Sequence, residues 1–326
     1  MAREMMFAEA MATAIAEEMQ RDSNVIFFGQ NMAMTERDPF LKKFGKSRVR
    51  ITPISETAEI GAAVGAAMTG LRPIVELYMS EFMLVAFDQV INEAPRLRYM
   101  SGGQVKVPLV LKAGFGFAAG WAGQHSNCIY HTMMGIPGLK LALPSTPADA
   151  KGLMTAAIRD DNPVVYLHHY MLMLDKGEVP EGDHVVPFGV ADIKRAGSDV
   201  TIVATAWMVK KSLAAAEQLA NEGISAEVVD PRTLAPLDVE TIVASVKKTG
   251  RLVLVDQAPR HSSAAAVIAG EVAEHGFSFL KAPVKMVTAL DTSIPYSEPL
   301  ESYVLPSEEK IVQAVKSVLA KQAAAV

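Results

Sequence analysis

The chain has 326 residues, half of them hydrophobic and 21% charged, a length that predicts two domains of ordinary size with substantial cores. Its 31 basic and 36 acidic residues leave a net charge of −5 without long runs of one sign. That balance excludes a disordered chain and argues against nucleic acid or anionic membrane as partner.

No window offers 18 uninterrupted apolar residues, so no bilayer-spanning helix is expected. Glu4, Glu9, Glu17 and Glu18 sit where a secretory signal would be apolar, and the single Cys128 has no second cysteine to pair with. The expectation is a cytoplasmic globular protein.

In chain order, Phe7, Met11, Ile15 and Met19 recur at a four-residue step and predict an opening helix. Short β-rich runs then alternate with helical patterns: NVIFF (24–28), RPIVELYM (72–79), VPLVL (107–111), LKLAL (139–143) and PVVYL (163–167). This alternation predicts βαβ units around a parallel sheet covered on both faces. Residues 56–70, ETAEIGAAVGAAMTG, read as a tightly packed helix with Ser55 as its N-cap. Thr146, Pro147 and Asp149 supply the cap, the first-turn proline and the first-turn acid of another. Between 171 and 187, Pro180, Gly182, Asp183 and Pro187 interrupt every period, which predicts a linker. The alternation then resumes, from DVTIVAT to a last helix, PSEEKIVQAVKSVLAK, with acids first and lysines late. The expected organisation is a first α/β domain over 1–175, a linker over 176–190 and a smaller α/β domain over 191–326.

Several residues invite chemistry. Gly114, Gly116 and Gly120 follow a strand with the spacing G-x-G-x-x-x-G, which does not match the dinucleotide fingerprint. They read equally as a close approach for a ligand or as a tight turn. His125, Cys128 and His131 stand three apart on an expected helix, yet no second pair of soft ligands accompanies them, so zinc is disfavoured. His168 and His169 are adjacent at a strand end and must point to opposite faces. Neither a G-x-S-x-G elbow nor a P-loop lysine motif occurs. Glu56 opens a helix just after the strand ending ITPIS. It reads either as a helix-dipole partner or as a group at the carboxyl end of a parallel strand, where open α/β sheets bind ligands. Asp160, Asp161 and Asn162 close a helix, where carboxylates need a compensating cation or solvent.

Residues 51–103, ITPISETAEIGAAVGAAMTGLRPIVELYMSEFMLVAFDQVINEAPRLRYMSGG, closely resemble the beta subunit of the thiamine-diphosphate-dependent 2-oxo acid dehydrogenases. So do VPLVLKAG, AGQHSN (122–127), IPGLKLALPSTPADAKGL (136–153), AIRDDNPVV (157–165), VVDPRTLAPLDVETI (228–242) and PYSEPLESYVLPSEEKIV (295–312). The resemblance implies a transketolase-type pyrimidine-binding domain followed by a transketolase-type C-terminal domain. It also implies an alpha subunit, in a two-alpha two-beta heterotetramer, that holds Mg²⁺ and the diphosphate through a GDG motif. The only Gly-Asp pair here is Gly182–Asp183, so this chain alone is expected to be inactive.

By the same resemblance Glu56 shares a proton with the pyrimidine ring nitrogen, which lets the cofactor deprotonate its own thiazolium carbon. A desolvated pocket would serve that role best. Phe82 packs on the pyrimidine, with Ile54 and Tyr78 as neighbouring walls. His125 faces the substrate end and assists proton transfer and lipoyl acylation. Leu109, Ala157, Ile158, Asp160 and Asn162 match a potassium site built mostly of backbone carbonyls plus the Asp160 carboxylate. There are departures: Gly29, Gln30 and Asn31, with a short run to Phe44, replace the family's GED and longer loop, and Phe115, Phe117 and Trp121 are bulkier than usual and are expected to narrow the substrate approach.

The implied function is cleavage or decarboxylation of a 2-oxo substrate with transfer of the acyl group to a lipoyl-bearing acyltransferase. The stretch MSEFMLVAFDQV resembles acetoin and branched-chain members more than typical pyruvate members, and acetoin or pyruvate is the expected substrate. The alternatives are a non-catalytic structural or regulatory partner of an alpha subunit, and a self-sufficient transketolase-like carboligase.

Overall fold

The computed structural model describes residues 2–30, 39–116, 118–261 and 263–320. They fall into two compact units, one holding the residues up to 116 with 132–188, the other 118–131 with those from 189 onward.

The first unit contains β1 (Ala2–Met6), α1 (Phe7–Arg21), β2 (Val25–Gln30), α2 (Pro39–Phe44), β3 (Val49–Thr52), α3 (Glu56–Met68), β4 (Arg72–Met79), α4 (Leu97–Met100) and β5 (Val110–Phe115). After α5 (His131–Met134) come β6 (Lys140–Ala142), α6 (Pro147–Arg159), β7 (Val164–His169) and β8 (Lys176–Pro180). Six strands lie in the order β6-β7-β5-β4-β2-β3, all parallel. Every side chain of β5 and β7 is buried, as a sheet covered on both faces requires.

The opening helix starts at Phe7 and buries Phe7, Met11, Ile15 and Met19 along one stripe. It is preceded by a strand, β1, that pairs antiparallel with β8 from Ala2↔Pro180 to Met6↔Lys176. Thus Lys176–Pro180, inside the stretch expected to be a linker, is a strand. Of its five residues only Val179 is buried, so no hydrophobic alternation marks it. Thr146 caps α6 by accepting from the Asp149 amide at 3.1 Å, with Pro147 at the first position. Ser55 occupies the N-cap of α3, but its side chain makes no capping bond.

The second unit contains β9 (Asp192–Arg195), β10 (Val200–Ala204), α7 (Trp207–Ala220), β11 (Ala226–Asp230), β12 (Thr233–Ala235), α8 (Val239–Thr249) and β13 (Leu252–Pro259). It ends with α9 (Ala264–His275), β14 (Lys285–Ala289), α10 (Glu298–Val304) and α11 (Glu308–Leu319). Its sheet runs β14-β13-β10-β11-β9, parallel except for β9. Alternate residues serve opposite faces. Ile202, Val253 and Val255 pack with Met208 of α7 and Ile311 of α11, whereas Val203, Leu252 and Leu254 pack with Ile242 of α8 and Ile268 of α9. In α11 the Ser307 hydroxyl caps the Lys310 amide, with Glu308 and Glu309 in the first turn and Lys316 in the last, matching the helix dipole.

Candidate functional site

Parallel strands all end on the same edge of a sheet, so the order β4-β2-β3 brings three carboxyl ends side by side. Gln30 closes β2, Thr52 closes β3 and Tyr78 stands one residue from the end of β4. Ile54 and Glu56 follow β3 into α3, and Phe82 lies in the 3-10 helix Ser80–Ala86 that directly follows β4. Thr57 donates to the Val85 carbonyl at 3.1 Å, which ties the first turn of α3 to that 3-10 helix.

Glu56 is buried, with 8% of its surface exposed. The buried Gln30 amide donates 3.1 Å hydrogen bonds to Oε1 of Glu56 and to Oε2 of Glu59, one helical turn further on. Thr52 Oγ1 bonds the other oxygen of Glu59. Burial, the largest influence, pushes the Glu59 carboxyl above its ordinary range. The bonds from Thr52 and Gln30 pull it back, and the neighbouring Glu56 charge adds a smaller upward push. Among the described residues Glu56 Oε2 carries no hydrogen bond, so one oxygen of a nearly buried carboxyl is left for something else.

Ile54 is 51% exposed, and Tyr78 and Phe82 are half-buried. Three apolar or aromatic side chains with accessible surface, on the same sheet edge as a carboxyl oxygen that carries no hydrogen bond among the described residues, are the groups that a flat heteroaromatic ring bearing a basic nitrogen calls for. Tyr78 is held from behind: the Tyr170 hydroxyl donates to its backbone carbonyl, and the two rings lie 6.2 Å apart. Gly114 explains how Tyr170 fits, since a β-carbon there would overlap the Tyr170 ring. Gly116 and Gly120 have positive φ, so the glycine run makes a bend and room for the Tyr170 side chain.

His125 belongs to the second unit. It does not lie on a helix: residues 121–130 are irregular backbone with a turn at 123–125, and α5 begins only at His131. The reason is local geometry, since Ala122 takes a left-handed φ of 61° and Gly120 one of 74°. The His125 ring lies 6.2 Å from that of Trp121, which is 40% exposed. Within this unit the loop is anchored at both ends. The Gly120 amide donates to the buried Glu301 carboxylate, and the Tyr130 hydroxyl bonds the fully buried Asp256. Burial pushes the Glu301 carboxyl up. Of the bulky residues expected to narrow an approach, Trp121 flanks His125, but Phe115 is a core residue whose ring meets His169 edge-on at 5.0 Å. Phe117, Asn31 and most of the short run to Phe44 lie outside the described residues.

His125, Cys128 and His131 form no metal-binding group, and none occurs among the described residues. His131 Nδ1 instead bonds the Cys128 carbonyl at 2.9 Å. His168 and His169 have separate partners, the Tyr170 ring and the Met171 amide, as opposite faces demand. Burial pushes His168 well below its ordinary range and keeps it neutral.

Comparison with known proteins matches the pyrimidine-binding domain of transketolase over residues 3–173 and the transketolase C-terminal domain over 189–311. The beta subunit of acetoin:2,6-dichlorophenolindophenol oxidoreductase of Bacillus subtilis is 42% identical, covering 99% of each chain. The beta subunit of the pyruvate dehydrogenase E1 component of Rickettsia conorii is 44% identical over 95% of this chain and 97% of its own. The beta subunit of 2-oxoisovalerate dehydrogenase of Bacillus subtilis is 38% identical over 96% and 98%. The chain belongs to the family of 2-oxo acid dehydrogenase E1 beta subunits. A solved split-gene transketolase, an inactive beta4 tetramer, shares the fold at a TM-score of 0.79, with 24% identity over 96% of this chain and 97% of that one.

In this E1 beta chain the acidic close of α6 is compensated by side-chain cations. Asp160 pairs with Lys140, Asp161 with Arg72 and Lys106, and Asn162 Oδ1 accepts from Arg98. The Lys106 and Arg72 bonds hold the Asp161 carboxyl below its ordinary range against a smaller opposing effect of burial. The carbonyls of the expected potassium set are engaged as well: Leu109 accepts from Val164, Ala157 from Asp160, and Ile158 and Asp160 from Arg72.

Glu59, Gln30 and Thr52 carry no expected role from sequence. One signal was present, because an acid three residues after Glu56 on an alanine-rich helix shares its face.

Proposed function

We propose that this chain is the catalytic beta half of a thiamine-diphosphate-dependent E1 component, working with an alpha subunit in a two-alpha two-beta assembly. Glu56 carries the reading, since it is a nearly buried carboxyl at the carboxyl edge of the sheet with Oε1 fixed by Gln30 and Oε2 without a hydrogen bond among the described residues. Its task is to hold a proton against the ring nitrogen of the cofactor's pyrimidine, while Phe82, Ile54 and Tyr78 grip the ring. When bound, thiamine diphosphate supplies a carbon nucleophile for the substrate carbonyl. His125 serves the substrate end, moving a proton during cleavage and acyl transfer to a lipoyl group. Intact Glu56 and His125 favour this over a merely structural partner. The absence of a GDG motif favours it over a self-sufficient carboligase.

The relatives named above act on acetoin, pyruvate and 2-oxoisovalerate, and acetoin or pyruvate is the proposed substrate here. Reconstitution tests the whole reading. Reduction of 2,6-dichlorophenolindophenol is expected only when this chain, a GDG-containing alpha chain, thiamine diphosphate, Mg²⁺ and the substrate are mixed. Turnover by this chain alone, or by the alpha chain alone, would reject it.

Potassium at Leu109, Ala157, Ile158, Asp160 and Asn162 is part of the proposal. The carbonyls of Leu109, Ala157, Ile158 and Asp160 each accept a hydrogen bond already, and the second lone pair of a carbonyl suits a hard monovalent ion. The melting temperature is then expected to be higher in KCl than in NaCl at equal ionic strength. Identical values would reject the ion and leave Arg72, Arg98, Lys106 and Lys140 to hold that loop.

A further inference from the structure

If Glu59 is charged, one contact around it, from Thr52 to the Gly29 carbonyl, goes unmade. Thr52 Oγ1 lies within bonding distance of both the Gly29 carbonyl, at 3.3 Å, and Glu59 Oε1, yet a hydroxyl has a single proton to give. The Gln30 amide has two, and both are spent, one on Glu56 Oε1 and one on Glu59 Oε2. A proton on Glu59 Oε1 completes the set: Glu59 donates to Thr52, Thr52 donates to Gly29, and Gln30 serves both carboxyls.

Among the described residues no cation offers another solution. The charged groups on the elements packed around α3 are Arg50 of β3, Arg72 and Glu76 of β4, Glu81 of the 3-10 helix, and Asp88 and Glu93 flanking Val90. Arg72 is committed to Asp161, and Glu76 to Lys112. None of the six pairs with Glu59, and the neighbouring charge that acts on it is that of Glu56. Two buried carboxyls sharing one amide without a cation settle by keeping one of them neutral.

We propose that Glu59 carries a proton in the working site and acts through Gln30 as a positioning residue for Glu56. The clamp keeps Oε1 of Glu56 bound and turns Oε2 toward the ring nitrogen. This rests on the reading of Glu56 given above. The raised proton affinity of the Glu59 carboxyl agrees with it.

Two variants test it in the reconstituted complex. Glu59→Gln rebuilds the same bonds, with its NH₂ toward Thr52 and its C=O toward Gln30, so it is expected to rescue most of the kcat that Glu59→Ala loses. That loss is expected to be about tenfold or more, from a misplaced Glu56. The alkaline limb of the wild-type pH–rate profile, set by loss of the Glu59 proton, is expected to disappear in Glu59→Gln.

A second readout needs no activity. A carboxyl with a raised folded pKa stabilises the fold fully below its ordinary value of 4.5 and loses that contribution as pH rises through the folded value. The melting temperature of Glu59→Gln minus that of wild type is therefore expected to grow with pH. A Glu59→Gln complex as inactive as Glu59→Ala, with a melting difference flat in pH, would overturn the proposal. Should the melting trend hold while Glu56→Gln stays active, the positioning role falls and the proton remains, which separates failure of this inference from failure of the Glu56 reading.

Discussion

Glu56→Gln in the reconstituted complex is expected to lower kcat by at least about a hundredfold, the scale of a lost general acid–base group. Assembly with the alpha chain should be unchanged. The substitution is nearly isosteric, and its Oε1 can still accept from Gln30, so the bond that fixes the side chain survives. What disappears is the second oxygen, which becomes an NH₂ group that can neither hold nor release a proton. Steady-state turnover gives the rate, and size-exclusion chromatography of the mixed chains gives the assembly. Near-normal turnover would reject the proton role, whereas loss of the complex would mean that Glu56 supports the fold rather than the chemistry. Glu59→Ala is expected to have a smaller effect, because it acts on Glu56 only through the Gln30 amide.

Strong periodicity made much of this fold legible. Arg72–Met79 forms a strand over the span expected for it, and the Phe7, Met11, Ile15 and Met19 stripe is the buried face of α1. Failures occurred where tertiary contacts rather than pattern decide. Lys176–Pro180 buries only Val179 and is held as a strand by its register with β1, which no local signal reports. The stretch holding His125 and Cys128 has helix-compatible residues, yet positive φ at Gly120 and Ala122 and the tethers to Glu301 and Asp256 override them. Glu56 alone could be read as an ordinary first-turn acid. Its burial and its shared amide become visible only when β2 is placed beside β3, because Gln30 lies 26 residues earlier in the chain. Aspartates at the close of α6 were legible as a charge problem, but its answer, Lys140 with Arg72 and Lys106, comes from three separate elements and connections.

Glu18 sets the second large expectation, on stability. It lies on α1 with 2% of its surface exposed, beside the apolar stripe. Arg159, in the last turn of α6, donates from Nη2 to Oε1 at 2.7 Å and from Nε to Oε2 at 3.0 Å, and Arg21 adds a bond of 2.6 Å. Arg159 also reaches Asp183, so a single guanidinium joins α1, α6 and the segment after β8. Breaking a buried pair by removing one member is more costly than the pair is worth, since the other charge stays behind partly desolvated. Glu18→Ala is therefore expected to lose about 3 kcal/mol at neutral pH in a urea titration. Burial pushes the Glu18 carboxyl up, but the bonds and charges of Arg159 and Arg21 together outweigh it and hold the group below its ordinary value of 4.5. A depressed folded pKa contributes stability that is present above the unfolded value and lost as pH falls through the folded one. The gap between wild type and Glu18→Gln, which keeps the shape without the charge, should accordingly narrow as the pH drops below 4.5. A gap that stayed constant under acid would mean that packing along the α1–α6 seam, rather than this ion pair, supplies the stability.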